Sequence, residues 1–318
     1  MKESLYSVPK SKQIRVIIDS DCDCEADDQY AIAHALMTPK FDVIGIIAAH
    51  FGKKESEEKS YREIHKILEL MDLQGKIKVL HGCQESLPDE ENYIASEGSQ
   101  FIVEEARKED SRPLFVVCQG AITNLANAYL MDSRIAERLT AIWIGGGNYP
   151  EGGWEFNLFN DINAANVVMD SSIELWQVPM KAYSLMKVSF SVLFEKVYPC
   201  GNIGKYLVEN LMRVNEEVGK ESLDDLDGIF GDIKMSQGAK AAFYPGGESW
   251  QLGDSPVVGL MLLDHHGHYE LQGAPRFNQD GTYLLRDDNT HKIRVYHYVD
   301  SNFILNDFYS KLKYYYGV

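Results

Sequence analysis

The stretch "IRVIIDSDCDCEADDQYAIAHALM", residues 14–37, joins an apolar run, an acidic loop and a helix-length segment. Ile14 to Ile18 is short, rich in β-branched residues and followed at once by polar ones, which predicts a buried strand. Further on the spacing changes, and Ala31, Ala35 and Leu36 share one face at helical periodicity. Between the two, Asp19, Asp21, Asp23, Glu25, Asp27 and Asp28 put six acidic side chains into ten positions. Like charges within a few ångströms raise one another's pKa and oppose folding unless something positive sits among them. The stretch predicts a strand–loop–helix unit whose loop holds a cation.

The same alternation runs outward from it. "FDVIGIIAA" (41–49), "KIKVL" (76–80), "PLFVVC" (113–118) and "TAIWIGGG" (140–147) read as strands. "SYREIHKILELM" (60–71), "SQFIVEEARK" (99–108) and "AITNLANAYLM" (121–131) read as the helices between them. From about Gly201 the alternation gives way to helical segments, followed by two strand candidates, "HYELQG" (268–273) and "KIRVYHYV" (292–299), and the amphipathic "FILNDFYSKLKYYY" (303–316). Alternating strands and helices without linker or repeat predict an α/β fold: one domain over residues 1–318, with a mainly parallel open sheet flanked by helices.

Composition narrows the partners. The 318 residues are 45% hydrophobic and 25% charged, enough for a large core, and the formal net charge of -17 repels nucleic acid and anionic lipid. A small-molecule partner is expected. No run approaches the roughly 20 apolar residues of a membrane span, and "MKESLYSVPKSKQ" lacks the apolar core of a signal peptide, so a cytoplasmic location is expected. The five cysteines, Cys22, Cys24, Cys83, Cys118 and Cys200, form no CxxC pair and read as free thiols.

Ligands of parallel sheets bind beyond the carboxyl ends of the strands. Asp19 and Asp21 have equal parity on an extended backbone, and Asp27 and Asp28 fall in the first turn of the following helix, whose dipole favours negative charge. An all-oxygen set selects a hard cation, and calcium, with 6–8 ligands and tolerance of bidentate carboxylates, suits it better than magnesium. An EF-hand loop counted from Asp19 would need glycine at its sixth position and glutamate at its twelfth, where Cys24 and Tyr30 stand. "VIIDSDC" also resembles the start of haloacid dehalogenase-type phosphatases, with "LGDSP" (252–256) as a partial copy of their late acidic motif.

Taken together, four segments in order resemble the inosine-uridine-preferring nucleoside hydrolase superfamily. They are "VIIDSDCDCEADDQYAIAHAL" with a slightly lengthened acidic loop, "VVCQGAITNLANAY", "IWIGGG" and "WEFNLFNDINAANVV", and "GDSP" falls where that family has its last aspartate. The resemblance implies hydrolysis of ribonucleosides to base and ribose, in a salvage role, by a homodimer or homotetramer. It implies calcium held by Asp21, Asp28, Asp254 and the carbonyl of Gln119, with Asp19 behind them, and Asp21 as general base toward a calcium-bound water. Asp27, Glu155 and Asn157 would bind ribose. Carboxylates around the sugar suit the oxocarbenium charge that builds as an N-glycosidic bond breaks.

Two positions depart from the family pattern. Gly253 stands where many members carry the histidine that protonates the leaving base, and Lys53 stands where asparagine often follows glycine. His50 and Trp250 are the expected base-side residues, with His81, His265 and His266 behind them. Trp154 is a second aromatic candidate, Thr123 and Asn124 are expected to cap and support their loop, and "ENYIASEGSQ" (91–100) is expected to form a lid. A ribose- or nucleoside-binding protein without turnover is the alternative that Gly253 keeps open.

Overall fold

The computed structural model describes Lys2, Ser4 and residues 6–218, 247–263 and 268–317. Every residue of β1 (Ile14–Ser20) is buried. A parallel strand covered on both faces has to be apolar on both. Its two parities feed different cores, Val16 and Ile18 on one face of the sheet and Ile17 on the other.

The chain then runs through α1 (Asp28–Leu36), β2 (Phe41–Ala48), α2 (Ser56–Leu70), β3 (Val79–His81), α3 (Glu97–Ala106), β4 (Leu114–Cys118), α4 (Thr123–Met131) and β5 (Thr140–Ile144). After these come α5 (Phe156–Asn160), α6 (Ile162–Asp170), β6 (Glu174–Val178), α7 (Met180–Tyr183), β7 (Lys187–Ser189), α8 (Phe190–Lys196) and α9 (Gly201–Val218). The last elements are β8 (Ser249–Gln251), α10 (Pro256–Leu262), β9 (Tyr269–Gly273), β10 (Arg276–Phe277), β11 (Tyr283–Leu284), β12 (Lys292–Tyr296) and α11 (Ser301–Tyr316).

Eight strands form one sheet in the order β3-β2-β1-β4-β5-β6-β12-β9, parallel throughout except for β9, which pairs antiparallel with β12 at the edge. The expected α/β architecture is present. The sequence reading missed β6, whose five residues are interrupted by Glu174 and Gln177, and placed the third strand too early, since only Val79–His81 pairs with β2. Two short antiparallel pairs, β7 with β8 and β10 with β11, stand apart from the main sheet. Among the described residues, no helix is long and apolar enough to cross a membrane.

Helix α11 fastens the acidic unit to the body of the protein. His34 of α1 is 1% exposed, and its Nε2–H donates to Asp307 Oδ2 at 2.7 Å. Lys311 bonds the same carboxylate and donates to Thr38 Oγ1 at 2.9 Å. The ring of Phe308 meets the edge of His34 at 5.6 Å. Burial pushes the His34 pKa down to about 4, so the imidazole is a neutral donor at pH 7. Removing Asp307 strands a buried ammonium and a buried imidazole together. Asp307→Ala should therefore cost about 3 kcal/mol, the range for breaking a buried ion pair from one side, read as a lower midpoint of urea unfolding with unchanged slope.

Candidate active site

β1 ends where the strand order reverses, with β2 and β4 on either side of it. In open α/β sheets the crevice outside such a switch point receives the ligand. Asp19 shares the parity of Ile17 and meets Asn124 of α4, whose Nδ2 donates to Oδ1 at 2.9 Å, while Oδ2 has no hydrogen-bond partner. Ser20 faces the other way, and its hydroxyl donates to Asp28 Oδ1 at 2.5 Å. Asp27 caps α1: Oδ1 accepts the Asp28 N–H and Oδ2 the Asp254 N–H, each at 3.2 Å. The last aspartate is thereby tied to the first loop across 227 residues of chain.

Asp19, Asp21, Asp27, Asp28 and Asp254 are all 5% exposed or less. Asp27, Asp28 and Asp254 each offer a carboxylate oxygen, and these lie within 4.8 Å of one another; Asp21, Cys24 and Asp28 form a second such group. Burial first, and neighbouring carboxylates second, hold Asp21, Asp27 and Asp254 well above the usual carboxylate range. The same causes, Asp27 being the neighbour, push Asp28 up to about 7. Burial alone takes Asp19 to about 7 against the Asn124 bond. Asp21 Oδ2 is buried with no partner. Buried anions without donors are costly, and an orphaned Asp21 oxygen next to Asp28, which itself converges with Asp27 and Asp254, fits a hard divalent cation.

The loop after β4 supplies the other wall. The Gln119 carbonyl accepts from Asn157 Nδ2 at 2.7 Å, and the same Nδ2 donates to the Ile144 carbonyl at 2.9 Å. The Gln119 side chain is buried with neither amide atom partnered. Gly120 is required by close approach: a Cβ there would lie 2.6 Å from the Asp21 carboxyl carbon.

Glu155 sits as the cap of α5. Its oxygens accept from the N–H groups of Gly146, Asn157 and Leu158 and, at 3.1 Å, from the Tyr183 hydroxyl. Tyr183 had no signal in "MKAYSL", yet it borders Gly253, the glycine that stands in place of the histidine of the family pattern. A Cβ on Gly253 would be 3.2 Å from Tyr183 Cδ2 and 3.3 Å from Asp27 Oδ2. The phenol thus stands between Glu155 and the acidic cluster.

The base-side expectations fare differently. Gly52 N–H donates to His50 Nδ1 at 3.4 Å, which leaves Nε2–H to donate to Thr123 Oγ1 at 2.8 Å. Thr123 in turn donates to Asp161. Burial pushes His50 down to about 4, so it is neutral at pH 7. It also lines a cleft of about 560 Å³ with Lys53, Lys54, Glu57, Ser86 and Asn160. Trp250 is 7% exposed and packs in the core from the β7–β8 pair, whereas Trp154 is 47% exposed beside Phe156 and Phe159. His81 stacks on Tyr61 and bonds Glu57. His265 and His266 lie outside the described residues.

One expectation is corrected: Thr123 and Asn124 do not cap α4, because Asp161 and Asp19 take their polar groups instead. In residues 91–100, Ser96 and Ser99 make the capping box that starts α3, Glu97 accepts the His81 N–H, and Ile94 N–H is held by Asn127.

A model of the inosine-uridine preferring nucleoside hydrolase family matches residues 16–261. The chain belongs to that family. The nucleoside hydrolase match takes in most of β1 and α10 and all five aspartates of the acidic cluster. Among relatives, the pyrimidine-specific ribonucleoside hydrolase RihA of Escherichia coli O7:K1 is 28% identical over 181 residues, 48% of this chain and 56% of that protein. The RihA of Salmonella agona is 27% identical over 177 residues, with the same shares. The chain spans about half the length of these relatives. The purine-preferring ribonucleoside hydrolase of Gardnerella vaginalis has the same fold, with a TM-score of 0.73, 16% identity, and coverage of 95% of this chain and 98% of that one. A plant nucleoside hydrolase, PpNRh1, superposes with a TM-score of 0.69 at 17% identity, covering 94% and 98%.

The tight seat of Asp21 yields a test of the geometry. Gly120→Ala should displace its carboxylate while keeping the far-ultraviolet circular dichroism. Affinity for a divalent cation should fall about 10- to 100-fold, the usual loss when a group supporting a metal ligand is disturbed, as measured by calorimetric titration. Unchanged affinity would remove Asp21 from the cation site.

Proposed function

We propose that this chain is a calcium-dependent N-ribohydrolase that cleaves ribonucleosides to base and ribose, with Asp21 as general base. The observation that carries the reading is the unpartnered, buried Asp21 oxygen beside Asp28 at the β1/β4 switch point. Asp21, Asp28, Asp254 and the Gln119 carbonyl would hold the ion, with Asp19 behind them on Asn124. When bound, calcium neutralises the carboxylates and makes the attacking water more acidic.

The chain's own groups do the rest. Asp21 takes one proton from water as its oxygen attacks the anomeric carbon. The C–N bond breaks, its electron pair leaves with the base, the base takes a proton from solvent, and Asp21 returns its own proton to solvent. The surrounding carboxylates favour the positive charge that grows on the sugar. Asp27 would accept a ribose hydroxyl, and Glu155 and Asn157, at the start of α5, would meet the sugar. His50, neutral and with both nitrogens engaged, is a wall of the cleft in this scheme and does not donate the proton. Tyr183 fills the base side that Gly253 leaves bare.

Release of reducing sugar from a panel of purine and pyrimidine ribonucleosides, with and without chelator, tests the activity. Chelator-sensitive release is expected; calcium binding without release from any nucleoside would favour a binding protein. Asp21→Asn should lower kcat about 10²- to 10⁴-fold, the usual share of a general base, without lowering the melting temperature, and full activity in the variant would overturn the mechanism.

The carboxylates also give a pH signature. Asp28 titrates at about 7 when folded against 3.8 ordinarily, so without metal the folded state keeps a proton that the unfolded chain loses between these values. Metal-free stability should fall as pH rises through that window, and a bound cation should restore it. The gain in melting temperature on adding calcium is therefore expected to be larger at pH 8 than at pH 5. An equal or larger gain at pH 5 would contradict the assignment.

A further inference from the structure

The lengthened acidic loop brings one donor that an all-oxygen calcium site does not use. Cys24, partly exposed, has its thiol 3.8 Å from Asp28 Oδ2, and its sulfur, a carboxylate oxygen of Asp21 and one of Asp28 lie within 4.8 Å of one another. The thiol is not alone in pointing to a ligand. Asp21 is 1% exposed and its Oδ2 has no hydrogen-bond partner. Cys22, two residues earlier, is fully buried in the core cluster and does not compete for this place.

We propose that Cys24, Asp21 and Asp28 form a sulfur-containing face of the cation site that binds a thiophilic divalent ion of the zinc and cadmium class. The inference rests on the reading of the acidic cluster as a cation site. Distances support it: zinc bonds sulfur at about 2.3 Å and carboxylate oxygen at about 2.0 Å, so a tetrahedral ion spans about 3.5 Å between the two donors. The observed 3.8 Å between Cys24 Sγ and Asp28 Oδ2 is close to that span. Calcium takes the oxygens and leaves the thiol protonated, because hard cations bind oxygen. A soft cation takes the thiolate as well; one metal–sulfur bond forms, the S–H bond breaks, and the proton passes to solvent. The two kinds of ion share Asp21 and Asp28, so they compete.

The test is titration of metal-free protein with cadmium, following the sulfur-to-metal charge-transfer absorption in the near ultraviolet, for the native chain, Cys24→Ser and Cys22→Ser. The native chain and Cys22→Ser should show a band that saturates at one equivalent and is reversed by excess calcium. Cys24→Ser should lose the band, and its cadmium affinity should fall at least about tenfold, the lower end of what disturbing a metal ligand's support already costs. A band that persists in Cys24→Ser, or calcium binding with no band in the native chain, would overturn the sulfur assignment and leave the calcium reading standing. If neither calcium nor cadmium binds the native chain by calorimetry, the cation site itself falls and this inference with it.

Discussion

The structure depends on holding negative charge inside the protein at the carboxyl end of one strand. β1 is buried along its whole length, so the loop that follows starts from the interior and not from the surface. Carboxylates in such a place need donors, counter-charge or protons. The site contains all grades of answer. Asp161 receives two backbone N–H groups and the Thr123 hydroxyl, and Glu155 receives four donors. Asp19 has one partnered oxygen and one bare one, and Asp21 keeps an oxygen with no partner. This gradation separates acids whose oxygens are all partnered within the fold from acids that keep a bare oxygen.

The walls are built so that each satisfied acid fixes the next element. Asp161 gathers the loop at Leu87, the start of α6 and Thr123, and through Thr123 it sets the tautomer of His50. Asn124 bridges three segments, donating to Asp19 and accepting from the Cys83 N–H and the Ser96 hydroxyl. A hydroxyl or amide buried among such partners is rigid, since every alternative rotamer would leave a buried polar group unpaired. The crevice is thus preorganised on the β4 side by bonds whose loss would each be felt across several loops.

Much of this was legible from residue type and spacing. The strand ending at Ser20 is apolar on both parities, as a doubly covered strand must be, and the spacing of Asp27 and Asp28 placed them at a helix start. What could not be read were roles decided by tertiary contact. β6 was invisible because two polar residues break its five-residue run. Tyr183 sits in an unremarkable helical turn, and only the fold brings its hydroxyl to Glu155 and its ring beside Gly253. Thr123 and Asn124 carry the residue types of a helix cap, and local preference pointed there. Buried carboxylates offered stronger bonds and took them.

Asp27 shows how closely the fold and the proposed chemistry are joined. Its two oxygens are spent on different tasks, one on starting α1 and the other on holding the loop of Asp254. α1 is fixed at its far end by His34 against α11, and the Asp254 loop leads directly into α10, which packs against both helices. Any change in charge balance among the aspartates is therefore felt by three helices together. On the calcium reading, cation binding and the docking of α1, α10 and α11 are parts of one equilibrium, because a ligand that binds only the folded arrangement stabilises all of it. The mutual repulsion with which the sequence opens is then the means by which stability is made to answer to the ion.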